Sequence, residues 1–115
     1  MRSVRDRLQD ILDAIAQIEI EQAKGEVVFL REPLVQVWML HHLMIIGEAV
    51  RSIEPGFRQG HPSVPWRQIG GMRNILVHDY FRINERIVWE TVEHHLPLLK
   101  ADIRRILDQI SPEPD

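Results

Sequence analysis

Val4, Leu8, Ile11, Leu12, Ile15 and Ile18 recur at three- and four-residue steps, with Asp6, Asp10, Asp13 and Glu21 mostly between them. That spacing predicts an amphipathic helix over about residues 3–24, with Gly25 as its C-terminal stop. Glu26 to Glu32 is a short, partly apolar connection. Pro33 fits the first turn of a second helix, which should run to about Ile53. Its apolar coverage is broad. Leu34, Val37, Trp38, Leu40, Met44, Ile45 and Ala49 form one stripe, and Val35, Met39, Leu43, Ile46 and Val50 form another. A helix apolar on most sides sits at the centre of a bundle or meets a partner chain.

Glu54 to Pro65 holds three prolines and two glycines and reads as a loop with turns. Ser63 can cap a third helix with Pro65 in its first turn and Trp66 onward as its body. Gly70 and Gly71 weaken that helix by about 1 kcal/mol each relative to Ala, which suggests close backbone approach there. It should fade between Val77 and Tyr80. Asn84 is a good cap for a fourth helix, lined by Ile87, Val88, Val92, Leu96, Leu99, Ile103 and Ile106; Pro97 must kink or divide it. No β-alternation, internal repeat or low-complexity tract is present. The pattern predicts an all-α, up-down bundle of four to five helices over residues 1–110, with 111–115 a frayed tail.

The composition narrows the function. There are 115 residues and no cysteine, so one domain is expected, without disulfides or thiolate metal sites. The N-terminal segment lacks the apolar run of a secretory signal. The greasy stretch from Leu34 to Val50 contains Gln36, His41, His42 and Glu48, too polar for a membrane span, so a cytoplasmic protein is expected. The formal charge is −3, but it is unevenly spread. Residues 51–86 hold six arginines (Arg51, Arg58, Arg67, Arg73, Arg82, Arg86) against three acids, between acidic flanks. Arginine forks match phosphate oxygens in a bidentate way.

The most informative string is Gly71-Met72-Arg73-Asn74-Ile75-Leu76-Val77-His78-Asp79-Tyr80. Taken as residues alone, it leaves alternatives open. His78 could bond the last carbonyls of a helix. Arg73 could pair with Asp79 or Glu48 at the surface. Asn74 could bond a phosphate or a loop carbonyl, and Asp79 could orient His78 or end the helix. Tyr80, the single tyrosine, could be a half-buried ring beside Phe81. The adjacent pairs His41-His42 and His94-His95 point about 100° apart on a helix, so neither chelates one ion, and no metal site is expected. Trp38, Trp66 and Trp89 read as core or interface anchors.

Arg73, four residues, His78, one residue and Tyr80 reproduce an R-x4-H-x-Y pattern, and the chain resembles the HepT-like branch of HEPN-domain proteins, the toxins of HepT/MntA-type toxin–antitoxin pairs. Ile46-Gly47-Glu48-Ala49, His61-Pro62, Pro65-Trp66, Val88-Trp89-Glu90-Thr91 and Leu96-Pro97 support the resemblance, which covers roughly residues 4–110. His41-His42 departs from it, standing where relatives often carry Arg and Asn. The resemblance implies a HEPN-like homodimer and a metal-independent endoribonuclease that needs no cofactor. Arg73 and His78 would be catalytic, with Asn74 and Asp79 supporting. It also implies RNA as substrate and a nucleotidyltransferase antitoxin as partner, which adenylylates Tyr80.

The chemistry suits these residues. RNA breaks without metal when its 2′-hydroxyl attacks the adjacent phosphorus, which requires a base and an acid. His serves either task near neutral pH, and Arg neutralises charge building on the phosphoryl oxygens. On a regular helix Arg73 and His78 would lie about 140° apart. They converge only if the helix unwinds or a second chain completes the site. A rival reading from another class is a non-catalytic helical module that docks beside a nucleotidyltransferase; the net negative charge suits it better.

Overall fold

The computed structural model describes residues 2–77 and 82–110. Helix α1 (Val4–Gln22) opens with a reciprocal cap: the Asp6 N–H donates to Ser3 Oγ at 3.0 Å, and the Ser3 N–H donates to the Asp6 carboxylate at 3.2 Å. That backbone bond holds the Asp6 carboxyl below its usual range. Leu8, Ile11, Ala14, Ile15 and Ile18 turn to the core, as the spacing predicts. The helix ends at Ala23, and Gly25 takes φ 94°, a backbone turn that side chains disfavour. The connection after it is itself helical, α2 (Glu26–Arg31), and it buries Phe29 completely.

Helix α3 (Pro33–Arg51) is the central rod. It has the length and composition of a membrane span, but half of it is buried within the bundle. Val35, Met39, Leu43, Ile46 and Val50 are buried and pack between α1 and the later helices. Gln36 is buried too, and its amide donates to the Phe29 carbonyl at 3.0 Å, so no polar group is orphaned there.

After a short α4 (Pro55–Gln59), the chain forms α5 (Trp66–Gly70) and α6 (Arg73–Leu76). Here the structure corrects two expectations. Ser63 does not cap this segment. Its hydroxyl instead accepts from Arg105 at 3.1 Å, and Pro65 occupies the cap position. Nor is the third helix continuous, because it breaks at Gly71-Met72 into two short pieces. The physical reason is the predicted close approach. A Cβ on Gly47 would lie 3.3 Å from the Ile69 carbonyl oxygen, and one on Gly70 would lie 3.2 Å from the Arg51 stem. The α5–α6 junction rests directly on the backbone of α3.

The last rod starts at α7 (Glu85–Glu90), where Asn84 accepts from the Ile87 N–H at 3.4 Å. It passes through a π-helical turn, Thr91–His95, into α8 (Leu96–Gln109). Pro97 divides the rod as the sequence predicts: α8 begins at Leu96 with Pro97 in its first turn. Its ring excludes the carbonyl four residues back, and the ladder adjusts upstream: the Leu96 N–H bonds the Thr91 carbonyl, five residues earlier. Phe29 and Trp89 stack with ring centres 5.3 Å apart, and Lys100 pairs with Glu19 at 2.9 Å, tying this rod to α2 and α1. The result is an all-α HEPN-like bundle. Three long rods fill three of its positions, and the short α5–α6 pair fills the fourth. The tail 111–115 lies outside the described residues.

Replacing glycine by alanine in an exposed helix ordinarily adds up to about 1 kcal/mol of stability. Gly56, with nothing within 4 Å of its missing Cβ, should show a gain of that sign. Gly47→Ala should show none, and Gly47→Val should cost about 1–3 kcal/mol. Urea unfolding of the three variants measures the difference.

Candidate active site

Helix α6 is one turn long and is anchored on one face. Met72 and Leu76, four residues apart, are 8% and 0% exposed and point into the core. Arg73, Asn74 and Ile75 between them face outward. Val77 is already extended, with φ −122° and ψ 129°. It pairs with Ile83 in an isolated antiparallel bridge, and the Asn84 N–H donates to the Leu76 carbonyl at 2.7 Å. Positions 77 and 83 are thus held side by side, and the chain leaves and returns at one point beside α6.

His78, Asp79 and Tyr80 lie outside the described residues. The structure therefore places Arg73 and Asn74 of the predicted site, and it shows the regular helix ending at Leu76. The separation of about 140° that a continuous helix would impose on positions 73 and 78 no longer applies.

Of the two surface pairs open to Arg73, the one with Glu48 does not form. Glu48 is held by Arg51 at 2.5 Å, and the other arm of Arg51 donates to the Gly70 carbonyl at 2.6 Å. Arg86 faces Glu90 at 3.6 Å. Among the described residues Arg67, Arg73 and Arg82 make no ion pair, and all three are exposed. The other pairing open to Arg73, with Asp79, lies outside the described residues.

The other candidates separate cleanly. His42 is buried, its Nδ1–H donates to the Trp38 carbonyl at 2.8 Å, and its ring packs on Trp38 with centres 4.4 Å apart. His41 is exposed, and His94 lies 3.3 Å from Glu93. No cluster of His, Asp or Glu among the described residues has the geometry to hold a metal ion. Trp66 and Trp89 are buried, and their indole N–H groups donate to the His61 carbonyl and the Glu93 carboxylate. Trp38 is 42% exposed beside Leu34 and Val37, so the exposed apolar part of α3 lies in its N-terminal half. The α5–α6 junction packs near Gly47, ten residues further on, or about 15 Å along the axis.

One feature escaped sequence reasoning. A cavity of about 360 Å³ opens beside α6, between α3, α5 and the α7–α8 rod. Its walls include Met72, Ile75, Ile87, Leu96 and Leu99, drawn from elements far apart in the chain. The only sequence signal for it was Pro97, whose upstream π turn shapes one wall.

Comparison with known proteins shows the family. Residues 11–106 match the family model described as Ribonuclease HepT-like. The chain is 38% identical over 111 residues to an inferred RNase of Caldanaerobacter subterraneus subsp. tengcongensis, covering 95% of this chain and 98% of that protein. It is 37% identical over 108 residues to an inferred ribonuclease HepT of Thermococcus cleftensis, covering 91% and 96%. An inferred RNase of Methanocaldococcus jannaschii shares 35% over 103 residues, covering 89% and 94%. No solved structure matches the chain. The chain belongs to the HepT-like ribonuclease family.

Arg73 is exposed and carries no ion pair among the described residues, so Arg73→Ala should change stability by no more than about 0.5 kcal/mol. Thermal unfolding checks this. A drop of several degrees would mean that Arg73 holds the fold together and is not reserved for a ligand.

Proposed function

We propose that this ribonuclease is the metal-independent toxin of a toxin–antitoxin pair, working as a homodimer. The carrying observation is Arg73: an exposed guanidinium on a turn anchored by Met72 and Leu76, leading straight into the paired positions 77 and 83. A scissile phosphate held by Arg73 has its developing charge neutralised. His78 then takes the 2′-hydroxyl proton or returns one to the leaving 5′-oxygen, and its counterpart from a second protomer supplies the complementary step. The new bond joins the 2′-oxygen to phosphorus as the 5′-oxygen bond breaks. Asn74 and Asp79 would support the phosphate and the imidazole. Arg67 and Arg82 are also exposed and make no ion pair among the described residues, which supports RNA binding on a chain that is acidic overall.

His78→Ala and Arg73→Ala should each reduce RNA cleavage by about 10²–10⁴-fold. Retention of full cleavage by either variant, with the bundle folded, would remove that residue from the mechanism.

Regulation follows from the same charge. An AMP group on Tyr80 adds a phosphodiester anion two residues from His78, where Arg73 would bind it in place of RNA. A cognate nucleotidyltransferase with ATP and Mg²⁺ should raise the mass of each chain by one or more AMP units. Tyr80→Phe should block the gain and keep most cleavage. Native mass spectrometry of the same samples should read twice 13.5 kDa. Modification at another residue, or a monomer at micromolar concentration, would contradict these assignments.

A further inference from the structure

We propose that the open groove between α4 and α5 is a second phosphate-binding site, which holds the backbone of the RNA strand away from the cut without reading its bases. The inference deepens the RNA-cleaving reading above and rests on it. Arg58 on α4 and Arg67 on α5 both line the groove, whose volume is about 620 Å³. Among the described residues no carboxylate lines it. Neither guanidinium makes an ion pair there, in contrast to Arg51, Arg86 and Arg105. Arg58 is half-buried, and its Nε–H is shut off from solvent without a partner among the described residues. A cation partly withdrawn from water with no counter-charge is costly, as is a buried N–H with no acceptor. An anion in the groove supplies both the charge and the acceptor after a small turn of the guanidinium.

Neutral donors complete the site. Ser63 accepts from Arg105 at 3.1 Å, which leaves its own hydroxyl proton for a ligand. Gln59 and Gln68 are exposed and add amide N–H groups. Arginine, serine and glutamine side chains are among those that contact phosphate oxygens along nucleic-acid backbones. The one aromatic residue lining the groove is Trp66. It is 6% exposed and its indole N–H is spent on the His61 carbonyl, so no ring is offered for a base to stack on. None of the exposed large apolar side chains among the described residues lines the groove either. Protein interfaces centre on such anchors, so forked cations with neutral donors favour a polyanionic strand over an acidic protein. Arg67 stands six residues before Arg73, and six residues span at most about 20 Å. A single strand with its scissile phosphate on Arg73 needs only a few further nucleotides to cover that length.

The test is binding of a uridine strand carrying 2′-O-methyl groups, which lacks the attacking hydroxyl, and of the matching adenosine strand, across a salt series. Log affinity falls with log salt at a slope of about −0.7 per phosphate contact on a single strand. The Arg58→Gln/Arg67→Gln double variant should therefore flatten the slope by about 1.4, and Arg67→Gln alone by about 0.7, equally for both strands. Arg67 is exposed, so the single variant carries the test if the double variant fails to fold. An unchanged slope, or no binding of either strand by the wild type, would overturn the site and leave the ribonuclease reading to the cleavage assays. A change confined to one strand would mean that bases are read and would overturn the backbone assignment. Adenosine 5′-monophosphate bound as tightly as the strand would do the same, by making the groove a mononucleotide pocket. If the slope changes as stated while unmodified RNA is not cut, the ribonuclease reading fails and the backbone site stands.

Discussion

The absent side chain at Gly47 is the constraint on which the site depends. It lets the carbonyl of Ile69 come within 3.3 Å of where a Cβ would stand, so the α5–α6 junction lies directly on the central rod. Arg51 then reaches the Gly70 carbonyl and Glu48 together, closing the junction from the side. Buried in that position, Met72 and Leu76 act as two pegs under one turn of helix. Everything between the pegs points outward, and that is Arg73, Asn74 and Ile75. The Arg73 guanidinium is thereby carried on a turn fixed by packing some distance from its own charge. Such an arrangement lets a cation be exposed and positioned at once.

The second constraint is Pro97. A proline inside a long helix removes one donor and clashes with the preceding turn. Upstream lie five residues of wider helix, Thr91–His95, and α8 begins at Leu96 with Pro97 in its first turn. That turn lines the cavity beside the motif, where the Thr91 hydroxyl donates to the Ile87 carbonyl. Charge follows the same division of labour. Arg51 and Arg86 are engaged by neighbouring acids, whereas Arg67, Arg73 and Arg82 carry no ion pair among the described residues. Local charge, more than the net −3, governs what this face attracts.

The long helices were legible because their apolar spacing is regular and their ends are chemically marked: Pro33 and Asn84 act as read, while the Ser3–Asp6 cap is a mark the spacing alone did not use. The short pieces were not. Glu26–Arg31 is too brief for a period to declare itself, and the Gly71-Met72 break is set by contact with α3, a partner that local propensity does not see. Ser63 had the right chemistry for a cap, yet its hydroxyl is claimed by Arg105, 42 residues away. The site divides in the same way. Arg73 stood out because spacing within one string carried it, and of its two possible surface partners Glu48 is taken by Arg51 at closer range. The cavity was invisible because its walls run from Ile46 to Asp102 and meet only in the folded chain.

The central claim is that Arg73 and His78 cleave RNA using the substrate's own 2′-hydroxyl, with no metal ion in the reaction. The most direct measurement is end-group analysis of RNA cut by the purified protein in excess EDTA. The account predicts undiminished cleavage and a 2′,3′-cyclic phosphate at the new end. Loss of cleavage on chelation, or a 3′-hydroxyl at the cut, would contradict it.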